Sequence, residues 1–107
     1  MNIDERELQE KCDEIVYFWK SPKIAMMVME EAGEFIQAIS KFERSLEFDS
    51  NLSREENHEK YLKARKNLID EIGDMYISLM VTRRMYEEEN MEEEIEQRIR
   101  EKLNKKY

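Results

Sequence analysis

The chain has 107 residues, enough for one domain with a single modest core and few enough that association between subunits would help to bury it. Its formal net charge of -8, from 26 acidic against 18 basic side chains, argues against a surface that displaces counterions from a nucleic-acid backbone, although a small phosphate ligand is compatible if metal ions intervene. With 41% charged residues, two glycines and one proline, the composition is that of a nearly all-helical protein.

No apolar run reaches the roughly 18 residues of a membrane span, and the start around Asp4-Glu5 lacks the basic and apolar regions of a signal peptide, so the cytoplasm is the expected compartment. Cys12 is the one cysteine, which excludes an intrachain disulfide or a multi-cysteine metal site. It is expected to pack as a small hydrophobe rather than act as a reactive thiol.

The first helix is expected after an Asp4 cap, burying Leu8, Cys12, Ile15, Val16 and Trp19 at helical spacing. Ser21-Pro22 then marks a new helix start, a capping serine followed by a proline in the first turn, and predicts a second helix from about Pro22 to about Leu46. Its apolar arc comprises Ile24, Val28, Phe35, Ala38, Ile39, Phe42 and Leu46. The segment from Phe48 to Leu52 has no apolar periodicity and reads as a connection. Ser53 with Glu56 forms a capping-box signature for a long third helix continuing to about Glu89, with Leu68, Ile72, Met75, Tyr76 and Leu79 as its main apolar face. Asn90 is a candidate cap for a fourth helix, in which Met91, Ile95, Ile99 and Leu103 make a narrow stripe that needs a partner surface. The expected fold is therefore a single all-α domain over residues 1–107, a four-helix bundle-like protomer with long second and third helices, assembling into a homodimer or homotetramer.

Against this pattern, five carboxylates stand out: Glu30, Glu31 and Glu34 in the second helix, Glu71 and Asp74 in the third. Spacing alone is weak evidence in so acidic a chain, because the same arrangement recurs at Glu88-Glu89 with Glu92 and at Glu92-Glu93 with Glu96. Surroundings discriminate. At about 100° per residue Glu31 projects within the apolar arc, with Glu30 and Glu34 at its edge. Glu71 falls beside Met75, and Asp74 lies on a second apolar strip with Val81 and Met85. Residues three or four apart share a helix face, so two antiparallel helices would bring both sets together. Uncompensated acids on core-facing positions are costly and point to a bound cation. Oxygen-only ligation favours Mg²⁺, with Mn²⁺ as a substitute. A di-iron bundle would want a Glu-x-x-His pair on each of two helices, and His58 is the only histidine. The competing reading is a structural acid network in a non-catalytic helical association module.

The segment Glu30-Glu31-Ala32-Gly33-Glu34, followed by Glu71-Ile72-Gly73-Asp74, resembles the signature of the MazG-type all-α nucleoside triphosphate pyrophosphohydrolases. That resemblance implies Glu31, Glu34, Glu71 and Asp74 as Mg²⁺ ligands and Glu30 as a residue behind them or orienting the attacking water. It implies hydrolysis of nucleoside or deoxynucleoside triphosphates to the monophosphate and pyrophosphate. It also suggests Lys102 and Asn104, similar to a C-terminal basic cluster in such enzymes, as substrate contacts, with a helix-dipole role for Lys102 as the alternative. Trp19 is a candidate to stack on a base, against a role in the core. Lys41 is expected to pair with a neighbouring acid. The 36 residues between Glu34 and Glu71 exceed the expectation for compact members and would extend both helices beyond the site. Phosphoribosyl-ATP pyrophosphohydrolases usually carry a histidine soon after the second acidic motif; Met75-Tyr76-Ile77-Ser78-Leu79 has none, which ranks that subgroup lower.

Overall fold

The computed structural model describes residues 2–19 and 21–106, and its regular elements are four helices: α1 (Glu5–Phe18), α2 (Ser21–Ser45), α3 (Arg54–Met85) and α4 (Met91–Lys106). Asp4 caps α1 by accepting from the Arg6 N–H at 2.9 Å, while Glu5 and Glu7 in the first turn oppose the helix dipole. The cap expected at Ser21 lies outside the described side chains.

The helices α2 and α3 form an antiparallel hairpin whose contact seam follows alternating four- and three-residue steps. On α2 the seam runs through Ile24, Val28, Glu31, Phe35, Ala38, Phe42 and Ser45, all buried or half-buried. On α3 it runs through Tyr61, Ala64, Leu68, Glu71, Met75, Ser78, Thr82 and Met85, again all buried or half-buried. The Phe42 and Tyr61 rings meet at 5.8 Å near the loop end. At the opposite end Ile24, Cys12 and Val81 are fully buried together, so Cys12 packs as a small hydrophobe where α1 docks. A bidentate pair fastens that dock: Arg84 Nε donates to Asp13 Oδ1 at 2.7 Å and its terminal nitrogen to Oδ2 at 2.8 Å.

Asn57 makes several of the side-chain bonds that hold the hairpin connection. Asn57 Nδ2 donates to the carbonyls of Asp49 (3.0 Å) and Ser53 (2.9 Å), and its Oδ1 accepts from the Asp49 N–H at 2.9 Å. The expected capping box is present, with reciprocal 3.0 Å bonds between Ser53 and Glu56.

Several expectations need correction. Trp19 lies beyond the last helical residue of α1, is 38% exposed and sits beneath Lys23 Nζ at 4.3 Å, so it is not a core residue. Ile39 and Leu46, placed on the apolar arc of α2, are exposed, as are Ile72, Tyr76 and Leu79 on α3. The reason is that α3 carries apolar side chains around much of its circumference. Its packed seam includes the polar Glu71 and Ser78, whereas a purely apolar strip faces outward. Helix α3 stops at Met85, four residues before Glu89: Arg83 and Arg84 suit a helix C-terminus, but Glu87, Glu88 and Glu89 would repel it. Asn90 enters α4 through a left-handed backbone (φ 66°) within a turn closed by the Met91 N–H on the Glu88 carbonyl, and no side-chain cap from it is present among the described residues.

Helix α4 makes only marginal contact with the other three, and Ile99 and Leu103 on its stripe are exposed. Consequently the radius of gyration is 17.9 Å, against about 13 Å for a compact chain of this length. Among the described residues no helix is long and apolar enough to cross a membrane.

Candidate metal centre

Midway along the hairpin the two seams each carry an acid, Glu31 on α2 and Glu71 on α3. Antiparallel pairing sets them opposite one another, and Glu34, one turn along α2, joins from the rim. Carboxylate oxygens of Glu31, Glu34 and Glu71 all lie within 4.8 Å of one another. Glu31 and Glu71 are half-buried while Glu34 is exposed, so the cluster has a closed floor and an open side.

The electrostatics of this cluster are uncompensated. Glu31 Oε2 and Glu71 Oε2 are buried without a hydrogen-bond partner, and among the described residues no lysine or arginine is ion-paired with Glu30, Glu31, Glu34, Glu71 or Asp74. Burial, and then the negative charges of Asp74, Glu34 and Glu71, push the Glu31 carboxyl above the ordinary glutamate range. Burial and the charges of Glu34, Asp74 and Asp70 do the same to Glu71. Two such buried oxygens on neighbouring carboxylates lack what a buried carboxylate needs, a positive partner. A hard divalent cation fits this donor set, since all the convergent atoms are carboxylate oxygens. Asp74 is half-buried and its charge acts on Glu31, but it is not one of the three convergent carboxylates, and Glu30 is exposed and also outside the cluster.

The remaining candidates are not gathered here. Lys102 and Asn104 are exposed on α4, and no hydrogen bond or ion pair among the described residues links them to the acids. Trp19 lies toward the α1–α2 junction, its ring covered on one side by Lys23. Lys41 is not paired with an acid among the described residues. It lines a cleft of about 520 Å³ together with Arg44, Lys60, Lys63 and Asn67. Net charge concealed this basic concentration, because the cations come from two helices separated in sequence by the hairpin loop.

With this geometry in view, the comparison with protein families is specific. The family model of the MazG nucleotide pyrophosphohydrolase domain matches residues 20–107, and the chain belongs to that family. The matched span contains both acidic motifs and leaves α1 wholly outside it. Comparison with curated proteins and with solved structures gave no match.

Proposed function

We propose that the protein is a nucleoside triphosphate pyrophosphohydrolase using Mg²⁺, or Mn²⁺ in its place, bound by Glu31, Glu34, Glu71 and Asp74. The observation that carries this reading is the pair of orphaned oxygens on Glu31 and Glu71 within a three-carboxylate cluster, in a chain of this family. When bound, the metal neutralises triphosphate oxygens, lowers the pKa of a water and offsets charge on the departing pyrophosphate.

The protein's own contribution is positional. Glu31 and Glu71 are held by the seam, which fixes their rotamers among packed neighbours, while exposed Glu34 closes the cluster from the side where substrate enters. Glu30, on the solvent side of the same turn, orients the attacking water and takes its proton as oxygen bonds to the α-phosphorus. The bond from that phosphorus to the bridging oxygen breaks, and pyrophosphate leaves. Trp19 offers one ring face for a base. Lys102 and Asn104 complete the site from a second subunit, because α4 reaches little of its own protomer.

A homodimer or homotetramer is part of the proposal. Ile72, Tyr76 and Leu79 form an outward strip on α3 with Leu79 64% exposed, and Met26, Met29 and Ile36 form another on α2. Contiguous apolar strips of this kind mark association surfaces. The same strips favour the second reading, a helical association module without catalysis, but that reading leaves the acid cluster unexplained.

Incubating the protein with each nucleoside and deoxynucleoside triphosphate and Mg²⁺, then measuring pyrophosphate, tests the proposal. Release by the wild type, lost in Glu34→Gln and Asp74→Asn, is the expected result. Equal release from all three would exclude this site.

A further inference from the structure

The basic cleft lies on the same side of the hairpin as the open edge of the acid cluster. Glu34 and Lys41 are seven residues apart on α2, and Asn67 and Asp74 are seven apart on α3, so each pair shares a face two turns apart. That places the cleft about 10 Å from the carboxylates, measured along the helix axes toward the α2–α3 loop. Lysine stems from both helices span much of this interval.

Four cations line the cleft, Lys41, Arg44, Lys60 and Lys63, and among the described residues none of them is ion-paired with an acid. Lys60 Nζ donates to the Glu47 carbonyl at 3.3 Å, the one hydrogen bond that any of the four makes through its side chain among the described residues. In a chain with 26 acids against 18 bases, four cations from two helices without an acid partner make a local positive surface that attracts an anion. Carboxylates that attract a divalent cation, followed along the same face by free cations, match a metal-bound polyphosphate whose far end carries uncompensated charge.

We propose that the terminal phosphates of the substrate, the portion that leaves as pyrophosphate, are held in the cleft of Lys41, Arg44, Lys60 and Lys63. The triphosphate then runs from the carboxylates toward the hairpin loop, and its nucleoside end lies on the side of the α1–α2 junction. This inference rests on the pyrophosphohydrolase reading and adds a direction of binding and a product subsite to it. The bonds that form and break are those already given; the cleft supplies charge to the leaving group without a proton transfer.

The test compares the wild type, Lys41→Gln/Lys63→Gln and the control Lys11→Gln, whose lysine is paired with Glu7 on α1. Steady-state constants for the best-hydrolysed triphosphate and product inhibition by inorganic pyrophosphate are measured for each. The double variant is expected to raise both KM and the pyrophosphate inhibition constant about tenfold, with kcat falling by less than about threefold. The control should match the wild type. Calorimetric titration with inorganic pyrophosphate and Mg²⁺ reads the cleft without turnover, and binding should weaken in the double variant alone. If that variant does not fold, Lys41→Gln by itself should shift the same constants in the same direction. Wild-type constants in an active double variant overturn the cleft assignment while leaving the hydrolase reading intact. So does a change in subunit association with an unaltered inhibition constant, which would make the cleft a protein contact. If the wild type releases no pyrophosphate from any triphosphate, the hydrolase reading fails instead, and the titration still decides whether the cleft binds the anion.

Discussion

Glu31 and Glu71 face each other across the α2–α3 seam, each with one carboxylate oxygen buried and without a hydrogen-bond partner. A seam built otherwise from aliphatic, aromatic and small side chains thus carries two like charges at its middle. Replacing one by an isosteric amide removes the repulsion and most of the desolvation cost. Glu31→Gln is expected to melt at a higher temperature than the wild type without metal, and to lose the rise that Mg²⁺ gives the wild type. Melting scans of both proteins with and without the ion check this; a wild type indifferent to Mg²⁺ would contradict it.

The pH dependence of the metal-free protein follows from the same two residues. Both fold with carboxyl pKa values raised above the ordinary 4.5, so between that value and the raised one the folded state holds more protons than the unfolded chain. Stability therefore falls as pH rises through that interval. Asp13 has the opposite sign: the hydrogen-bonded Arg84 guanidinium holds it below the ordinary 3.8, so its contribution is present above that value and lost as pH falls through the folded pKa. A melting-temperature profile should show a mildly acid optimum without metal, moving toward neutral pH with saturating Mg²⁺.

Core and cap substitutions separate the scaffold from the chemistry. Ile24 is fully buried where α1 meets the hairpin, and Ile24→Ala is expected to cost about 3 kcal/mol through lost burial and the cavity left behind. Ser53→Ala removes the cap that starts α3 and should cost about 1 kcal/mol. Urea titrations of each give the values.

The outward strip on α3 predicts a dissociable assembly. Leu79→Arg places a charge where 64% of a leucine is exposed; it should leave the protomer folded and convert the oligomer to monomer by sedimentation at micromolar concentration. A wild type already monomeric there would contradict the assembly.

How much of this was legible in the sequence depended on the kind of signal. Helix starts were readable from chemistry at single residues: Asp4, and Ser53 with Glu56, cap as expected because each supplies a local acceptor. The family-like acid motifs were readable too, and Glu31 and Glu71 do fall on the packed faces. Facing direction on α3 was not. Of the expected face, Leu68 and Met75 do pack, but Ile72, Tyr76 and Leu79 point outward while the polar Glu71 and Ser78 take seam positions, because the seam is chosen by the pair of helices together. The end of α3 was misplaced because the helix was extended up to the candidate cap at Asn90, whereas the three successive glutamates after Tyr86 oppose the dipole. The cleft of Lys41, Arg44, Lys60 and Lys63 is a property of tertiary pairing, which no count of charges along the chain reports.

Binding of Mn²⁺ followed by electron paramagnetic resonance tests the central claim most directly. The wild type is expected to take up the ion and release it to excess Mg²⁺, while Glu31→Gln/Glu71→Gln, folded by circular dichroism, binds it far more weakly. Equal uptake by the two proteins, or none by either, would contradict the account.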